Sequence, residues 1–318
     1  MTTYLVTGGA GFIGSHLCEK LLARGERVVN IDNFNDYYSP ERKRRNITQA
    51  LNHPNYTLVE GDLRDGALLT QIFATHRPDK VAHIAAMGSI SYSVQQPQLY
   101  EEVNIRGTLN VLDAARTVGV RGVVLASTSS VYGRTEKIPF VETDSTDRPL
   151  APYPASKKAT EVLAAAYHTS YGLPCTCVRF FNVYGPRGRP DMTPYMFTHA
   201  ILHERPIKLY DDGAPRRDWT YIDDIIAGVI AALDADLGYE IFNLGRGQPV
   251  VMRDFVTIIE RLVGKRAQIT NAPLPANEAS VTYADVSKAH RMLGYTPQIS
   301  IEEGLSRFWA WYQEEVLA

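Results

Sequence analysis

Thr7-Gly8-Gly9-Ala10-Gly11-Phe12-Ile13-Gly14, preceded by the apolar run Tyr4-Leu5-Val6, decides the fold. The run predicts a strand over Tyr4–Thr7, and the apolar spacing beyond Gly11 predicts a helix over Phe12–Ala23. Between them, Gly8, Gly11 and Gly14 fall at the spacing G-x-x-G-x-x-G. Gly8 permits a tight turn, Gly11 lets backbone N–H groups approach a pyrophosphate, and Gly14 lets helix and strand pack closely. The helix amino terminus adds partial positive charge at the same place. Strand, glycine turn and helix in this order predict a dinucleotide site.

Outward from that turn, strand-like runs alternate with helical ones. Arg27–Ile31, Tyr56–Glu60, Lys80–His83, Gly122–Ala126 and Cys175–Phe181 read as strands. Leu68–His76, Asn104–Val118 and Ser156–Tyr171 read as helices between them. The alternation predicts an α/β, doubly wound parallel sheet of Rossmann type. After Tyr184 the rhythm breaks at Gly185-Pro186-Arg187-Gly188-Arg189-Pro190, and short strands such as Ile207–Tyr210 mix with helices such as Met252–Val263. The expected division is a cofactor domain of residues 1–183 plus 221–245 and a smaller α/β substrate-binding domain of residues 184–220 plus 246–318. The cleft between them, beyond the strand carboxyl ends, is the expected site.

Asp32 follows the second strand, eighteen residues after Gly14. An acidic side chain there accepts hydrogen bonds from ribose hydroxyls and repels a 2′-phosphate, which selects NAD over NADP. Arg42-Lys43-Arg44-Arg45 reads either as a phosphate anchor or as a solvated helix start, and Asp32 decides for NAD. Asp62, after the third strand, is placed to meet the adenine amino group.

Composition excludes other classes. With 33 basic and 35 acidic residues, net charge −2, the chain carries no electrostatic footprint for nucleic acid or an anionic membrane. No apolar run reaches the roughly 18–20 residues of a membrane span, and the first residues do not read as a signal peptide. Cys18, Cys175 and Cys177 form no disulfide framework, which suits a cytoplasmic protein. Cys175 and Cys177 share one strand face and read as buried filler; no metal site is expected.

Tyr153-Pro154-Ala155-Ser156-Lys157 carries the chemistry. Residues four apart on a helix share a face, so the Lys157 ammonium is expected beside the Tyr153 phenol. A free phenol, pKa about 10, is a poor base at neutral pH, and a neighbouring cation favours phenolate. Upstream, in Ala126-Ser127-Thr128-Ser129-Ser130, a hydroxyl at a strand end can bond the reacting oxygen, and Thr128 is the choice by its distance from Tyr153.

The glycine loop, Thr128 and the Tyr153/Lys157 pair together resemble the extended short-chain dehydrogenases/reductases, over essentially the whole chain. Within them the sequence is most similar to UDP-glucuronate 4-epimerases, with UDP-glucose 4-epimerases next. The segments that carry this are Asp32-Asn33-Phe34-Asn35-Asp36-Tyr37-Tyr38, Phe180-Phe181 with Val183-Tyr184-Gly185-Pro186, Gly188-Arg189-Pro190-Asp191-Met192, Arg217–Asp224 and Phe242-Asn243-Leu244-Gly245. The resemblance implies catalytic roles for Thr128, Tyr153 and Lys157. It implies NAD contacts at Phe12, Ile13, Asn33, Asn35, Lys43, Leu63, Ala85, Ala86 and Asn104, besides Gly8, Gly11, Gly14, Asp32, Asp62, Tyr153 and Lys157. It implies UDP-sugar contacts at Ser89, Ser91, Thr128, Ser129, Ser130, Asn182, Arg189, Leu209, Tyr210 and Arg217. It also implies a homodimer through a four-helix bundle of helices 104–118 and 156–171.

Three departures stand out. Ser91 replaces an arginine, Asn182 a threonine, and Pro275-Ala276-Asn277-Glu278-Ala279 an arginine-containing loop ending Gly-Asp. The first two weaken the expectation of a sugar carboxylate, so UDP-glucuronate/UDP-galacturonate and UDP-glucose/UDP-galactose both stay open. On reaction type the residues speak more firmly. The related 4,6-dehydratases place Asp-Glu after the catalytic threonine, and decarboxylases carry glutamate at the position of Ser130. Ser129 and Ser130 cannot do that acid–base work. C4 oxidation, rotation of the 4-keto sugar and re-reduction is the expected course. A non-catalytic NAD-binding sensor or scaffold is the alternative of another class, and it has no use for an intact Thr128, Tyr153 and Lys157.

Overall fold

A computed structural model describes residues 1–317. Seven strands form one all-parallel sheet: β1 (Thr3–Thr7), β2 (Arg27–Asp32), β3 (Tyr56–Glu60), β4 (Lys80–His83), β5 (Gly122–Thr128), β6 (Cys175–Phe180) and β7 (Tyr239–Leu244). Their order is β7-β6-β5-β4-β1-β2-β3. The α/β doubly wound class expected from the sequence is the one observed. The order reverses between β1 and β4, so the loops that leave those two strands diverge and open a crevice at the carboxyl edge.

Both sheet faces are buried, and the strand pleat explains how. In β1, Tyr4 and Val6 enter one core while Leu5 enters the other. Helices Phe12–Ala23 and Ile222–Asp234 cover the first face, packed on each other; Gly66–His76, Gly107–Val118 and Pro152–Tyr171 cover the second. Cys175 and Cys177 are free thiols on the same side of β6, wholly buried in the second core as expected.

Several boundaries differ from the sequence reading. The helix assigned to Ser156–Tyr171 starts at Pro152, because proline is tolerated in a first helical turn, where its missing N–H has no partner to lose. Tyr153 is therefore helical. The helix assigned to Asn104–Val118 is an α-helix only over Gly107–Val118, and a π-helical stretch, Glu101–Arg106, leads into it. Of the late helices only Met252–Val263 was named from the sequence; among those that escaped it are Thr193–Leu202 and Ile301–Glu315, the latter capped by Ser300, whose hydroxyl accepts the Glu303 amide at 3.1 Å.

Outside the large sheet the strands are short pairs. Pro206–Tyr210 lies parallel to Gln268–Ala272, Arg216–Arg217 antiparallel to Val250–Val251, and Val183–Tyr184 parallel to Thr220–Tyr221. Among the described residues no helix is long and apolar enough to cross a membrane, and no cluster of three metal-ligating side chains occurs.

Candidate active site

The glycine turn sits at the crevice between β1 and β4. Gly8 has φ +72°, and a Cβ there would come within 2.8 Å of the Ala85 backbone. A Cβ on Gly14 would lie 2.1 Å from the Gly8 carbonyl oxygen. Both positions therefore demand glycine, and the bared backbone forms one wall of a cleft. Gly11, Phe12, Ile13 and Gly14 line that wall; Ala85 and Ala86, after β4, line the opposite one.

At the far end, Asp32 closes β2. Its carboxylate accepts the Ala10 amide at 3.0 Å and the Phe34 amide at 2.9 Å, and burial pushes its pKa up. Asn33, Asn35, Lys43, Asp62 and Leu63 line the same end. Of the basic run, only Lys43 faces the cleft; it is buried, and its ammonium donates to Asn35 O at 2.6 Å and Asn35 Oδ1 at 2.8 Å. Arg44 turns outward to Glu60, so the run is a helix start with one buried member. Asp62 is held by Arg64 and Asn33, and the Arg64 guanidinium draws its pKa down to about 2.

At the reactive end, Thr128 terminates β5, and its hydroxyl accepts the Ser130 amide at 3.2 Å. Thr128, Ser129, Ser130, Tyr153 and Asn182 line the cleft together. Burial pushes the Tyr153 phenol above its ordinary range, while the Thr128 hydroxyl and then the Arg189 guanidinium draw it back. Lys157, one helical turn on, is buried, and burial lowers its pKa to about 8. Arg189 is thus a cation felt at the Tyr153 phenol that the sequence reading had not placed there.

Arg189 reaches the cleft from the loop after β6. It donates to Asp191 at 2.8 and 2.9 Å and to the Gly88 carbonyl at 3.1 Å, and Tyr37 donates to the same Asp191 at 2.9 Å. Arg217 lies elsewhere, in a second cavity with Asn277, Glu278 and Thr282; its guanidinium stands 3.5 Å from Glu278, and burial lowers its pKa. Ser129, Ser130 and Asn182 line both cavities, so one groove runs from the glycine turn past Tyr153 to Arg217.

Six expected contacts do not line this groove, the buried Lys157 among them. Leu209 is buried in the core at 2% exposure, because its strand turns alternate side chains inward; Tyr210, next along, lies outside both cavities. Ser91 is exposed, and Ser89 caps the helix Ile90–Gln95 instead. Asn104 is buried off the cleft: its amide bonds both Met87 N and O and the Ser156 hydroxyl, so it ties the loop after β4 to the Tyr153 helix. Sequence reasoning in turn missed Tyr37, Tyr38, Met87 and Met192, which line the cleft. The aromatic pair after Asp32-Asn33 was the available signal.

Comparison with known proteins agrees with this geometry. The GDP-mannose 4,6 dehydratase family profile matches residues 5–308. The chain belongs to that family. A family member from Thermodesulfobacterium geofontis, a UDP-glucuronate 4-epimerase, is 44% identical over 99% of this chain and 98% of its own. The Bacillus cereus UDP-glucuronic acid 4-epimerase, solved with UDP-glucuronic acid and NAD, superposes with TM-score 0.93 at 33% identity, covering 98% and 99% of the two chains. The Thermotoga maritima UDP-glucose 4-epimerase, solved with UDP-glucose, gives TM-score 0.91 at 30% identity, covering 99% of each. The resemblance read from the motifs is thereby borne out.

Proposed function

We propose that the protein is an NAD-dependent UDP-sugar 4-epimerase. The observation that carries this is the joint placement of Thr128, Tyr153 and Asn182 in one groove with the glycine turn, while Ser129 and Ser130 occupy the positions where dehydration needs an acid and a base. The cleft fits a dinucleotide: no side chain can stand at Gly8 or Gly14 without striking backbone, and a carboxylate closes β2 where a ribose would lie. Bound there, NAD would supply the redox chemistry, as the acceptor of the C4 hydride and then its donor.

The chain's own residues do the rest. Gly11 to Gly14 present amides to the pyrophosphate, and Asp32 takes the ribose hydroxyls. Tyr153 accepts the C4 hydroxyl proton and later returns it, with Thr128 bonded to the same oxygen. Lys157 adds positive charge next to the phenol. Arg217 and Asn182 hold the diphosphate end so that the sugar can turn while its nucleotide stays fixed. Residues 1–183 plus 221–245 bind the cofactor and 184–220 plus 246–318 the nucleotide sugar. We assign the protein to the cytoplasm, in keeping with its three unpaired buried thiols. It acts as a homodimer through helices Gly107–Val118 and Pro152–Tyr171, where Leu109 and Val162 are exposed.

UDP-glucuronate is the first substrate, supported by the named relatives and by the Arg189 guanidinium in the cleft. Ser91 is exposed and off the groove, so the arginine missing there says little about the sugar. Asn182, at the junction of both cavities, favours UDP-glucose as the second reading. Incubation with each nucleotide sugar, with products resolved by NMR, tests this: C4-inverted product is expected, and its absence with both sugars overturns the proposal. Tyr153→Phe is expected to lower kcat at least about a hundredfold while NAD stays bound.

A further inference from the structure

Beneath the groove lies a buried polar network that the proton transfer described above does not use. Tyr153, Lys157 and Glu161 follow one another at four-residue spacing on helix Pro152–Tyr171, so they share a face. Glu161 is wholly buried, and so is Arg179 on β6. Arg179 donates to both oxygens of the Glu161 carboxylate, at 2.8 and 2.9 Å, and Ser127 Oγ donates to it at 2.7 Å. Arg179 also donates to the Tyr132 hydroxyl at 2.9 Å, and Tyr132 donates to Asn243 Oδ1 at 2.7 Å. One carboxylate therefore joins the catalytic helix to the carboxyl ends of β5 and β6 and, through Tyr132, of β7.

Stability gives a poor account of this arrangement. A buried ion pair is commonly no more stable than well-packed apolar side chains of the same volume, because desolvation offsets the attraction. Its position gives a better one. Ser127 adjoins Thr128, so fixing Ser127 fixes the hydroxyl that works beside Tyr153. The groups felt at Lys157 point the same way. His83 from β4 is held neutral by burial, with its pKa near 3, and burial pushes the Cys177 thiol on β6 far up. Ser127 and Thr128 on β5, Asn104 on the π-helical stretch and Ser156 on the catalytic helix itself carry no charge. Glu161 is the charged group among them, and besides Arg179 it receives the Lys158 ammonium at 3.4 Å from the next position on the helix after Lys157.

We propose that Glu161 is a positioning residue for the proton transfer: clamped by Arg179, it holds Ser127 and hence Thr128 in place against the helix that presents Tyr153, and it supplies the negative charge that faces Lys157. This rests on the epimerase reading above. The test uses the NAD-loaded enzyme, with kcat and KM measured across pH for the wild type, Glu161→Gln, Glu161→Asp and Ser127→Ala. Glu161→Gln is expected to lower kcat at least about tenfold with KM changed less than about threefold. Its alkaline limb moves to lower pH, because Lys157 loses the opposing charge and Arg179 is left uncompensated. Glu161→Asp restores the limb. Ser127→Ala, which keeps the carboxylate, lowers kcat without moving the limb, and it answers the question if Glu161→Gln does not fold. A fall in kcat with an unmoved limb in Glu161→Gln, or wild-type kcat in Ser127→Ala, overturns the inference. If the wild type itself inverts neither sugar, the functional reading fails instead.

Discussion

Tyr153 must release its proton from a place where burial favours keeping it. The side chains that offset burial are the Thr128 hydroxyl and the Arg189 guanidinium. Replacing Arg189 by methionine removes a cation that lowers the phenol pKa, so the acid limb of kcat should move to higher pH; an unmoved limb in a stopped-flow pH series would contradict this. Lys157 has the opposite sign. A lysine lowered to about 8 is charged below that value and neutral above it, so activity that needs its ammonium declines as pH rises through about 8. Initial rates from pH 6 to 10 check the limb, and Lys157→Met should abolish it together with most of the activity. At this scale the sequence showed which residues share a helix face. It did not show that Arg189 also acts on the phenol, because that residue arrives from a loop far along the chain. Nor did it show Glu161, which reads in isolation as one more helical carboxylate.

Among elements, the loop after β6 deserves comparison with a strap. Arg187 reaches back to Glu19 at 2.8 Å, Arg189 to Gly88 at 3.1 Å, and Asp191 receives Tyr37 at 2.9 Å. Arg42 stacks over the Tyr195 ring at 4.6 Å, one helix further on. These contacts tie the loop to helix Phe12–Ala23, to Gly88 after β4 and to Tyr37 after β2, and Tyr37, Gly88 and Arg189 line the cleft that Gly8 to Gly14 wall. Tyr37→Phe removes a hydrogen bond to a charged acceptor, a contribution of about 1.5–3 kcal/mol, so NAD should leave the enzyme about tenfold faster. Dilution of holoenzyme into an NAD trap measures this, and an unchanged rate would show that the loop does not restrain the cofactor. The alternation of strands and helices through β6 was legible because each βα unit is local and both its faces are buried. The Tyr153 helix starts at Pro152, before the expected Ser156, because Pro152 and Pro154 occupy its first turn, where a missing N–H costs no hydrogen bond.

For the whole molecule, buried histidines set the acid limit. His83 bridges Thr7 at 2.8 Å and Thr108 at 2.9 Å, linking β1 to helix Gly107–Val118 through β4, and burial holds its pKa near 3; burial likewise lowers His16 to about 4. Both are depressed below the unfolded value of about 6.5, so the unfolded chain binds more protons at lower pH. Their contribution to stability is complete above about 6.5 and is lost as pH falls toward 3–4. The Tm should drop between pH 7 and 4, and His83→Asn, which cannot take up the proton, should flatten that part of the curve. Scanning calorimetry at fixed ionic strength decides it. The pairing of Pro206–Tyr210 with Gln268–Ala272 lies beyond sequence reading, since its partners stand some sixty residues apart with no local pattern to join them. The same distance hid Leu209's fate as core.

β7 arrives about sixty residues after β6, its only neighbour in the sheet, and Asn243 on it receives Tyr132 and donates to the Phe140 carbonyl. A nascent chain cut short before this point leaves the ribosome with an open flank along β6 and with Tyr132 lacking its Asn243 partner. Synthesis must run past residue 245 before the sheet is complete and past residue 282 before the groove is, and a ligand that grips only the finished groove would report the moment of completion.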